Sequence, residues 1–248
     1  MPELAGCIAP AVMLRNAPGA NATAVSQLLH GEGFAVLDIA DGWAWGYGLH
    51  DHYVGYVPAG ALGAFGEVSH VVRAVRAPVF ATADIKAPVV AFWPIGARFA
   101  GTEEGDFIAT EEGYVHTRHA GAIAAPEADP VAVAERLIGT PYLWGGRGGD
   151  GVDCSGLVQL ALGLAGIAAP RDSDQQQALG TALADDAPLR RGDLLFFPGH
   201  VGLMVDAETM VHANAHAMAV TIEPLAEIIA RLRPAYAEPI LARRRMDG

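Results

Sequence analysis

A cysteine and two histidines stand in the C-terminal half of the chain in a pattern suited to nucleophilic catalysis. Cys154 follows Asp153 at the start of an apolar run, and His200 and His212 lie in two later strand-like segments. The thiolate is the reactive form of cysteine, and a helix N-terminus and a neighbouring imidazole both favour it. This pattern predicts Cys154 as a nucleophile, His200 as its general base and His212 as the group that orients the base.

Each of these residues also has an ordinary structural interpretation. A lone buried cysteine is commonly an inert apolar side chain, and a histidine is commonly a surface or packing residue. The flanking residues favour catalysis, because Asp-Cys-Ser-Gly at 153–156, Gly-His-Val-Gly at 199–202 and Arg-Gly-Asp-Leu at 191–194 occur together in one chain.

The segments that carry these residues predict a small α+β domain. Asp129-Pro130 is typical of an N-cap followed by proline in the first turn, so a helix is expected over 131–137. Apolar residues at helical spacing predict a second helix over 154–165, and a last helix is expected over 223–232. Strands are predicted over 193–197, 200–205, 210–213 and 219–222. A tight connection at 206–208 would bring His200 and His212 side by side. A helix followed by an antiparallel sheet is an α+β arrangement.

The first half of the chain has a different pattern, with short strand-like segments separated by Gly, Pro and Asp. A helical turn is expected only around 24–29. Asp-Gly-Trp at 41–43 and Tyr-Val-Gly-Tyr-Val at 53–57 are weakly repeated as Gly-Asp-Phe at 105–107 and Gly-Tyr-Val-His at 113–116. The repeat predicts two small all-β barrels, over 1–62 and 63–124, followed by a third domain over 125–248.

Composition narrows the classes of partner. The net charge is −12, from 16 basic and 28 acidic residues, so neither a nucleic acid nor a membrane surface is expected as a partner. Two cysteines, Cys7 and Cys154, cannot form a disulfide framework, and no CxxC pair indicates a metal site. The N-terminal residues lack a basic region followed by an apolar run, so we expect no signal peptide and a cytoplasmic location.

Residues 131–213 resemble the NlpC-type family of bacterial cell-wall cysteine peptidases, which has a papain-like core. The motifs that carry the resemblance are, in order, Leu-Ile-Gly-Thr-Pro-Tyr-Leu-Trp-Gly-Gly (137–146), Asp-Cys-Ser-Gly-Leu-Val-Gln (153–159), Arg-Asp-Ser-Asp-Gln-Gln (171–176), Leu-Arg-Arg-Gly-Asp-Leu-Leu-Phe-Phe (189–197), Gly-His-Val-Gly (199–202) and Val-His-Ala (211–213). The resemblance implies the same catalytic roles for Cys154, His200 and His212. It also implies a papain-like α+β fold for the third domain.

Further site residues follow from this resemblance. It implies that Tyr142 presents its hydroxyl near the oxyanion or the substrate, where a hydrogen-bond donor is needed. It also implies that Asp153, Ser155 and Ser173 bind the polar backbone of the substrate. Two structural alternatives remain open: Tyr142 packs beside a neighbouring tryptophan, and Ser173 caps a helix that begins at Asp174.

The two barrels resemble bacterial SH3-like domains, which often accompany this peptidase class. Leu-Leu-His-Gly-Glu at 28–32 resembles their Leu-Tyr-Gly-Glu segment, and 51–57 resembles their Gly-Tyr-x-Gly-Trp-Val signature. In family members with this arrangement, the first SH3-like domain closes one end of the cleft and selects a free N-terminal L-alanine before γ-D-glutamate. A buried ammonium group needs a carboxylate and hydrogen-bond acceptors, and Glu32 and Tyr53 are the candidates. The structural alternatives are a solvated loop carboxylate and a barrel-core tyrosine.

The expected function is that of a cytoplasmic γ-D-glutamyl-diamino acid endopeptidase. It would release L-Ala-γ-D-Glu from peptidoglycan-derived peptides during murein peptide recycling, without a metal or organic cofactor. Two alternatives remain open. The same Cys-His-His set serves an amidase or acyltransferase, because a papain-like core supports both reactions. In the second alternative, the chain is a non-catalytic protein that binds cell-wall fragments.

Overall fold

A computed structural model gives the structure of the protein, and it describes residues 2–246. The chain divides into two compact units. The first contains the residues up to Pro126 together with Trp144–Asp150, and the second contains Glu127–Leu143 together with the residues from Gly151 onward. The segment Trp144–Asp150 therefore belongs to the first unit, although it lies within the sequence range predicted for the third domain. The three predicted domain ranges, 1–62, 63–124 and 125–248, stay predictions.

The first unit begins with a seven-stranded antiparallel sheet. Its strands are β1 (Glu3–Cys7), β2 (Ala11–Arg15), β3 (Ala24–Leu29), β4 (Gly33–Ala40), β5 (Trp43–Gly48), β6 (Val54–Pro58) and β7 (Leu62–Ala64), in the spatial order β3-β2-β6-β5-β4-β1-β7. A short 3₁₀ turn, Ala59–Ala61, precedes β7. Leu14, Leu28, Phe34 and Val57 are buried in the core of this sheet.

Strand β3 corrects the expected helical turn around 24–29. Its residues pair along their length with β2, in a register that sets Leu28 opposite Val12 and Leu29 opposite Ala11. Six residues are too few for a stable isolated helix, so the hydrogen bonds and burial supplied by a neighbouring strand decide the conformation.

The remainder of the first unit contains two further sheets. Its strands are β8 (His70–Val72), β9 (Arg76–Phe80), β10 (Val89–Pro94), β11 (Arg98–Phe99), β12 (Thr102–Glu104), β13 (Phe107–Thr110), β14 (Gly113–His116), β15 (Ala120–Ala122) and β16 (Arg147–Gly148). Five strands are ordered β10-β9-β14-β13-β12, and three are ordered β11-β8-β15. Both sheets contribute to one apolar cluster around Trp93, which includes Val72, Phe99 and Ile108.

The second unit is an α+β domain with a six-stranded antiparallel sheet. Its elements are α1 (Pro130–Arg136), β17 (Gly151–Val152), α2 (Cys154–Leu164), α3 (Ser173–Gln176), β18 (Thr181–Ala182), β19 (Leu194–Phe197), β20 (His200–Met204), β21 (Thr209–Asn214), β22 (Ala219–Pro224), α4 (Leu225–Leu232) and β23 (Ala242–Arg245). The sheet order is β18-β23-β19-β20-β21-β22. The predicted helices and the four predicted strands of this region are confirmed.

Local signals in the sequence explain where these elements begin. Asp129 caps α1, since its Oδ1 accepts a hydrogen bond from the Val131 amide at 2.9 Å, and Pro130 occupies the first helical position. Asp193, in the Arg-Gly-Asp-Leu motif, is buried and accepts hydrogen bonds of 2.8 and 2.7 Å from Arg245. The motif therefore anchors β23, a strand that the sequence pattern did not predict, beside β19. Helix α2 packs against β20 and β21, which brings the start of α2 to the strands that carry the histidines.

Over residues 2–246, the structure contains no helix that is both long and apolar enough to span a membrane.

Candidate active site

Cys154 is the first residue of α2 and is 6% exposed. Its N-cap is Asp153, whose Oδ1 accepts a hydrogen bond from the amide of Gly156 at 2.8 Å. The Cys154 Sγ lies 4.0 Å from the carbonyl oxygen of Gly199, directly before β20. The nucleophile predicted from the sequence therefore lies at a helix N-terminus, beside the strand that begins with His200.

A buried arginine holds the residues on both sides of the nucleophile. Arg171 donates to both carboxylate oxygens of Asp153, at 2.9 and 2.6 Å, and to the hydroxyl of Ser155 at 2.8 Å. Gln176 donates to the backbone carbonyl of Ser155 at 3.0 Å. Asp153, Ser155 and Arg171 are all less than 10% exposed. These contacts give Asp153 and Ser155 a role in fixing the first turn of α2, and their predicted contact with substrate stays a prediction.

The two histidines lie together on neighbouring strands. Nε2 of His200 and Nδ1 of His212 are 2.8 Å apart, and the rings meet nearly edge to face. The register of β20 and β21 sets Leu203 opposite Val211, so the two histidines face the same side of the sheet. The turn between β20 and β21 is fixed by Asp206, whose carboxylate accepts hydrogen bonds from the amides of Glu208 and Thr209 at 2.8 Å each. The expected side-by-side arrangement is present, and the catalytic roles of both residues stay predictions.

A polar network continues from His212 on the same face of the sheet. His212 Nε2 lies 3.2 Å from Oε1 of Glu223, and Arg231 donates to Oε2 of Glu223 at 2.6 Å. Asn214 and Thr221 also contact Glu223 Oε1, each at 3.2 Å. The sequence analysis did not identify these residues. Asn214 was detectable in principle, since it lies two positions after His212 and so shares its face, whereas Glu223 requires knowledge of the β21–β22 register.

Burial determines the protonation of the nucleophile and its base. It raises the pKa of the Cys154 thiol to about 11, and the negative charge of Asp153 acts in the same direction. Burial also lowers the pKa of His200 to about 3, with contributions from His212 and Arg231. Near pH 7 both groups are therefore neutral, and a thiolate forms only when the proton moves. Burial and the N-terminal position of Cys154 in α2 act in opposite directions on the thiol pKa.

Tyr142 lies near Cys154 and Asp153, and Ser173 lies in α3 of the same unit. Burial, with a smaller contribution from the negative charge of Asp153, raises the pKa of Tyr142 to about 12, so the phenol keeps its proton and remains a hydrogen-bond donor. Ser173 is the first residue of α3, which has Asp172 at its N-cap position. The alternative that Ser173 caps a helix beginning at Asp174 is therefore wrong. The predicted substrate contacts of Tyr142 and Ser173 stay predictions.

The two remaining site candidates belong to the first unit. Glu32 is buried and paired with Arg147, which donates to its two carboxylate oxygens at 2.9 and 3.2 Å. The Leu29 amide donates to Glu32 Oε2 at 2.9 Å. The alternative of a solvated loop carboxylate is therefore wrong. Tyr53 is half-buried and packs against the core of the seven-stranded sheet, as its structural alternative expected. The amine-binding roles of Glu32 and Tyr53 stay predictions.

The arrangement in the second unit suits acyl transfer through a covalent intermediate. It combines a thiol at a helix N-terminus, an uncharged imidazole on the adjacent strand, a second imidazole hydrogen-bonded to the first and a protonated phenol. Within residues 2–246, no group of three or more His, Cys, Asp or Glu side chains is arranged to hold a metal ion.

Comparison with protein families identifies two regions of the chain. Residues 139–233 match the NlpC/P60 family, and residues 14–62 match the bacterial dipeptidyl-peptidase Sh3 domain. The first region contains Cys154, His200, His212 and Tyr142. The second contains Glu32 and Tyr53.

Curated relatives match the chain over its C-terminal part. Dipeptidyl-peptidase 6 of Lysinibacillus sphaericus is 38% identical over 97 residues, which are 39% of this chain and 36% of the relative. A γ-D-glutamyl-L-lysine dipeptidyl-peptidase of Bacillus subtilis is 35% identical over 109 residues, which are 41% of this chain and 36% of the relative. The matched part thus spans about a third of the length of these relatives.

Solved structures extend the similarity of the fold to nearly the whole chain. An NlpC/P60 family protein from Bacillus cereus superposes with a TM-score of 0.83 at 22% identity, covering 98% of this chain and 99% of that one. An NlpC/P60 endopeptidase from Photobacterium damselae superposes with a TM-score of 0.65 at 14% identity, covering 96% of this chain and 70% of that one. At these identities the similarity concerns the fold, namely a papain-like domain with an SH3-like domain.

Proposed function

We propose that this chain, which carries a cysteine-peptidase domain of the NlpC/P60 family and an SH3 domain of the bacterial dipeptidyl-peptidase type, hydrolyses the γ-D-Glu–diamino acid bond of peptidoglycan-derived peptides. The product is L-Ala-γ-D-Glu. The observation that carries the proposal is the position of Cys154 at the start of α2, beside the strand of His200, with His212 hydrogen-bonded to His200. The relatives named as dipeptidyl-peptidases support the choice of substrate class.

The reaction proceeds through a thioester. His200 accepts the proton of the Cys154 thiol as sulfur attacks the carbonyl carbon of the γ-amide, and the oxygen becomes an oxyanion. The phenol of Tyr142 donates a hydrogen bond to that oxyanion. His200 then gives its proton to the departing amine of the diamino acid. Water, activated by His200, attacks the thioester carbonyl and releases L-Ala-γ-D-Glu, and the proton returns to sulfur.

The neutral resting state supports general-base catalysis rather than a preformed ion pair. A half-buried imidazole with a pKa of about 3 is unprotonated at pH 7 and ready to accept the thiol proton. The charge pair that forms during attack is transient. Its imidazolium is stabilised by His212 and, through His212, by the carboxylate of Glu223.

Recognition of a free N-terminal L-alanine is assigned to Glu32 and Tyr53. Glu32 Oε2 accepts hydrogen bonds from Leu29 and Arg147, whereas Oε1 accepts one from Arg147 and lies 4.0 Å from His50 Nδ1, beyond hydrogen-bond distance. A lone pair of Oε1 is therefore the acceptor assigned to the amine. The hydroxyl of Tyr53 would supply the second acceptor. Arg147 precedes Cys154 by seven positions in the sequence, so its pairing with Glu32 anchors a segment of the peptidase region in the first unit.

The proposed requirement for a free amine favours turnover peptides over intact wall stems, in which the alanine nitrogen is amide-linked to the sugar. On that ground we propose a cytoplasmic role in murein peptide recycling. We also propose residues 63–124 as a second SH3-like barrel. Its two sheets and their shared core around Trp93, separate from the core of the seven-stranded sheet, support that proposal.

The test compares five substrates by mass spectrometry of their products. They are L-Ala-γ-D-Glu-diaminopimelate, its L-lysine analogue, the N-acetylated form of each and intact sacculi. We expect release of L-Ala-γ-D-Glu from the free-amine peptides, and a kcat/KM lower by about 100-fold or more after acetylation, because the buried amine-binding acceptors lose their partner. Cys154→Ala is the inactive control.

The outcomes separate the parts of the proposal. Equal cleavage of acetylated and free peptides would overturn the proposed specificity for a free amine, but the proposed peptidase activity would stand. Transfer of the acyl group to an added amine, without hydrolysis, would identify an acyltransferase. Tyr53→Phe keeps the packed ring and removes the hydroxyl, so it should raise KM for the free-amine peptide, and circular dichroism checks that the fold is retained. An unchanged KM would remove Tyr53 from the site.

A further inference from the structure

We propose that Glu223, held by Arg231, is a positioning residue that fixes the tautomers of both His212 and His200. It thereby keeps the Nδ1 atom of His200 unprotonated and available to the thiol. The inference rests on the proposed function for the roles of Cys154 and His200. Its evidence is a continuous hydrogen-bonded chain of side chains in the second unit.

The direction of each hydrogen bond follows from the carboxylate at the end of the chain. An ionised carboxylate only accepts, so the 3.2 Å contact between His212 Nε2 and Glu223 Oε1 requires a proton on Nε2. A neutral His212 then has a bare Nδ1, which accepts a hydrogen bond from His200 Nε2 at 2.8 Å. With its proton on Nε2, a neutral His200 has its lone pair on Nδ1. One carboxylate thus sets the protonated nitrogen of two imidazole rings.

Glu223 is ionised in the folded protein. Burial by itself would raise the pKa of its carboxyl, but the hydrogen bond from Arg231 and the charges of His212 and Arg231 outweigh it and hold the pKa below its ordinary value. Arg231 Nη2 lies 2.6 Å from Glu223 Oε2, and it extends from the last turn of α4. Arg231 therefore occupies one carboxylate oxygen and leaves the other for His212.

Asn214 could support a competing hydrogen-bond pattern, because its Nδ2 lies 3.3 Å from His212 Nε2 and would donate there if that nitrogen were bare. The side-chain oxygen of Asn214 accepts a hydrogen bond from the Ala217 amide at 2.7 Å, which fixes the orientation of the amide group. Nδ2 also contacts two oxygen acceptors at shorter distances, Thr221 Oγ1 at 2.8 Å and Glu223 Oε1 at 3.2 Å. Both Nδ2 protons thus have oxygen acceptors, which agrees with a proton on His212 Nε2.

Removing the charge of Glu223 removes the bias between tautomers. A glutamine at this position presents either an oxygen or an NH2 group to His212, so both tautomers of His212 become populated. In the wrong tautomer His200 carries its proton on Nδ1 and cannot accept one from the thiol. We expect Glu223→Gln to lower kcat by about 10- to 100-fold, the usual cost of losing a partner that orients a functional histidine, with KM unchanged. Arg231→Lys should restore most of the activity that Arg231→Met loses.

The decisive measurement uses the wild-type protein and needs no substrate. Nitrogen-15 NMR of the imidazole rings distinguishes the two neutral tautomers, and we expect both His200 and His212 to be protonated at Nε2. A proton on Nδ1 of His212 in the wild-type protein would overturn the proposal. This result also stands if a variant fails to fold.

A second measurement separates this inference from the proposed function. Alkylation of Cys154 by iodoacetamide at fixed pH reports on the base without any peptide. We expect Glu223→Gln to slow it, while Glu227→Gln, which removes an exposed carboxylate on α4, leaves it unchanged. If Glu223→Gln slows alkylation but the wild-type protein cleaves none of the peptides, the positioning role is supported and the proposed substrate is wrong. An alkylation rate unaffected by Glu223→Gln would overturn the positioning role, whatever the substrate.

Discussion

Arg171 binds both carboxylate oxygens of Asp153, at 2.9 and 2.6 Å, one position before the nucleophile. The pair is almost completely buried, with 1% of the arginine side chain and 7% of the aspartate side chain exposed. Asp153 also caps α2, so the arginine, the cap and the first helical turn form one rigid group. The position of Cys154 therefore depends on an ion pair as well as on the helix.

We expect Arg171→Met to lower the free energy of unfolding by about 3–5 kcal/mol, because the Asp153 carboxylate stays buried while the guanidinium charge beside it is removed. Urea denaturation followed by circular dichroism measures the change. Arg136 and Glu127 offer a matched control, with two contacts of 3.0 and 2.8 Å at a more exposed position. Arg136→Met should cost about 1 kcal/mol or less. If Arg171→Met and Arg136→Met lowered the free energy of unfolding equally, the burial of the Arg171–Asp153 pair would not account for the cost of breaking it.

The thiolate fraction of Cys154 should rise steadily as the pH rises from 6 to 10. The folded protein holds the pKa of this thiol at about 11, so the thiolate fraction grows tenfold with each pH unit over that range. The measurement is the ultraviolet absorbance of the thiolate in a Cys7→Ser background, where Cys154 is the sole thiol, with Cys154→Ser in the same background as the blank. A plateau of thiolate absorbance below pH 7 would contradict the neutral resting state and show a preformed thiolate–imidazolium pair.

The sequence predicted the elements whose signals are local. Asp129-Pro130 fixed the start of α1, and the apolar spacing after Cys154 predicted α2 to within one residue of its end. The short connection at 206–208 was enough to infer that His200 and His212 lie together. Each of these inferences uses residues that are near one another in the chain.

Features that depend on distant partners escaped prediction. Strand β3 looked like a helical turn until its pairing with β2 supplied the hydrogen bonds. Glu32 pairs with Arg147, which lies 115 positions away in the sequence, and no local sequence pattern predicts such a contact. Glu223 reaches His212 only through the register of the β21–β22 hairpin. Periodicity shows which face of an element is buried, whereas the partner on that face is set by tertiary packing.

The pair of Glu32 and Arg147 should contribute to the dependence of the first unit's stability on acid pH. Burial alone would raise the pKa of Glu32, but the charges of Arg147 and His50 outweigh it and lower that pKa. The folded state therefore binds fewer protons than the unfolded state, and stability falls as the pH drops below the ordinary glutamate range. We expect Glu32→Gln to cost about 3–5 kcal/mol near pH 7, because the buried Arg147 guanidinium then lacks the carboxylate charge that it faces.

The matching measurement is a double-mutant cycle with Arg147→Met, by urea denaturation at pH 7 and at pH 4. The double variant should be more stable than the sum of the two single losses predicts, since neither charge is then left alone. Additive losses at pH 7 would show that the two side chains are not energetically coupled.

The histidines of the second unit should make the protein less stable as the pH falls from about 6.5 towards 3. Burial lowers the pKa of His200 to about 3. Between pH 6.5 and pH 3, His200 is therefore protonated in the unfolded chain but not in the folded protein. Each pH unit in that window costs about 1.4 kcal/mol for one such group. His200→Gln removes this contribution and should flatten the dependence of the unfolding free energy on pH. His216→Gln replaces an exposed histidine and should leave the slope unchanged. An unaltered slope in His200→Gln would mean that His200 is protonated in the folded protein, and general-base catalysis from a neutral imidazole would then be untenable.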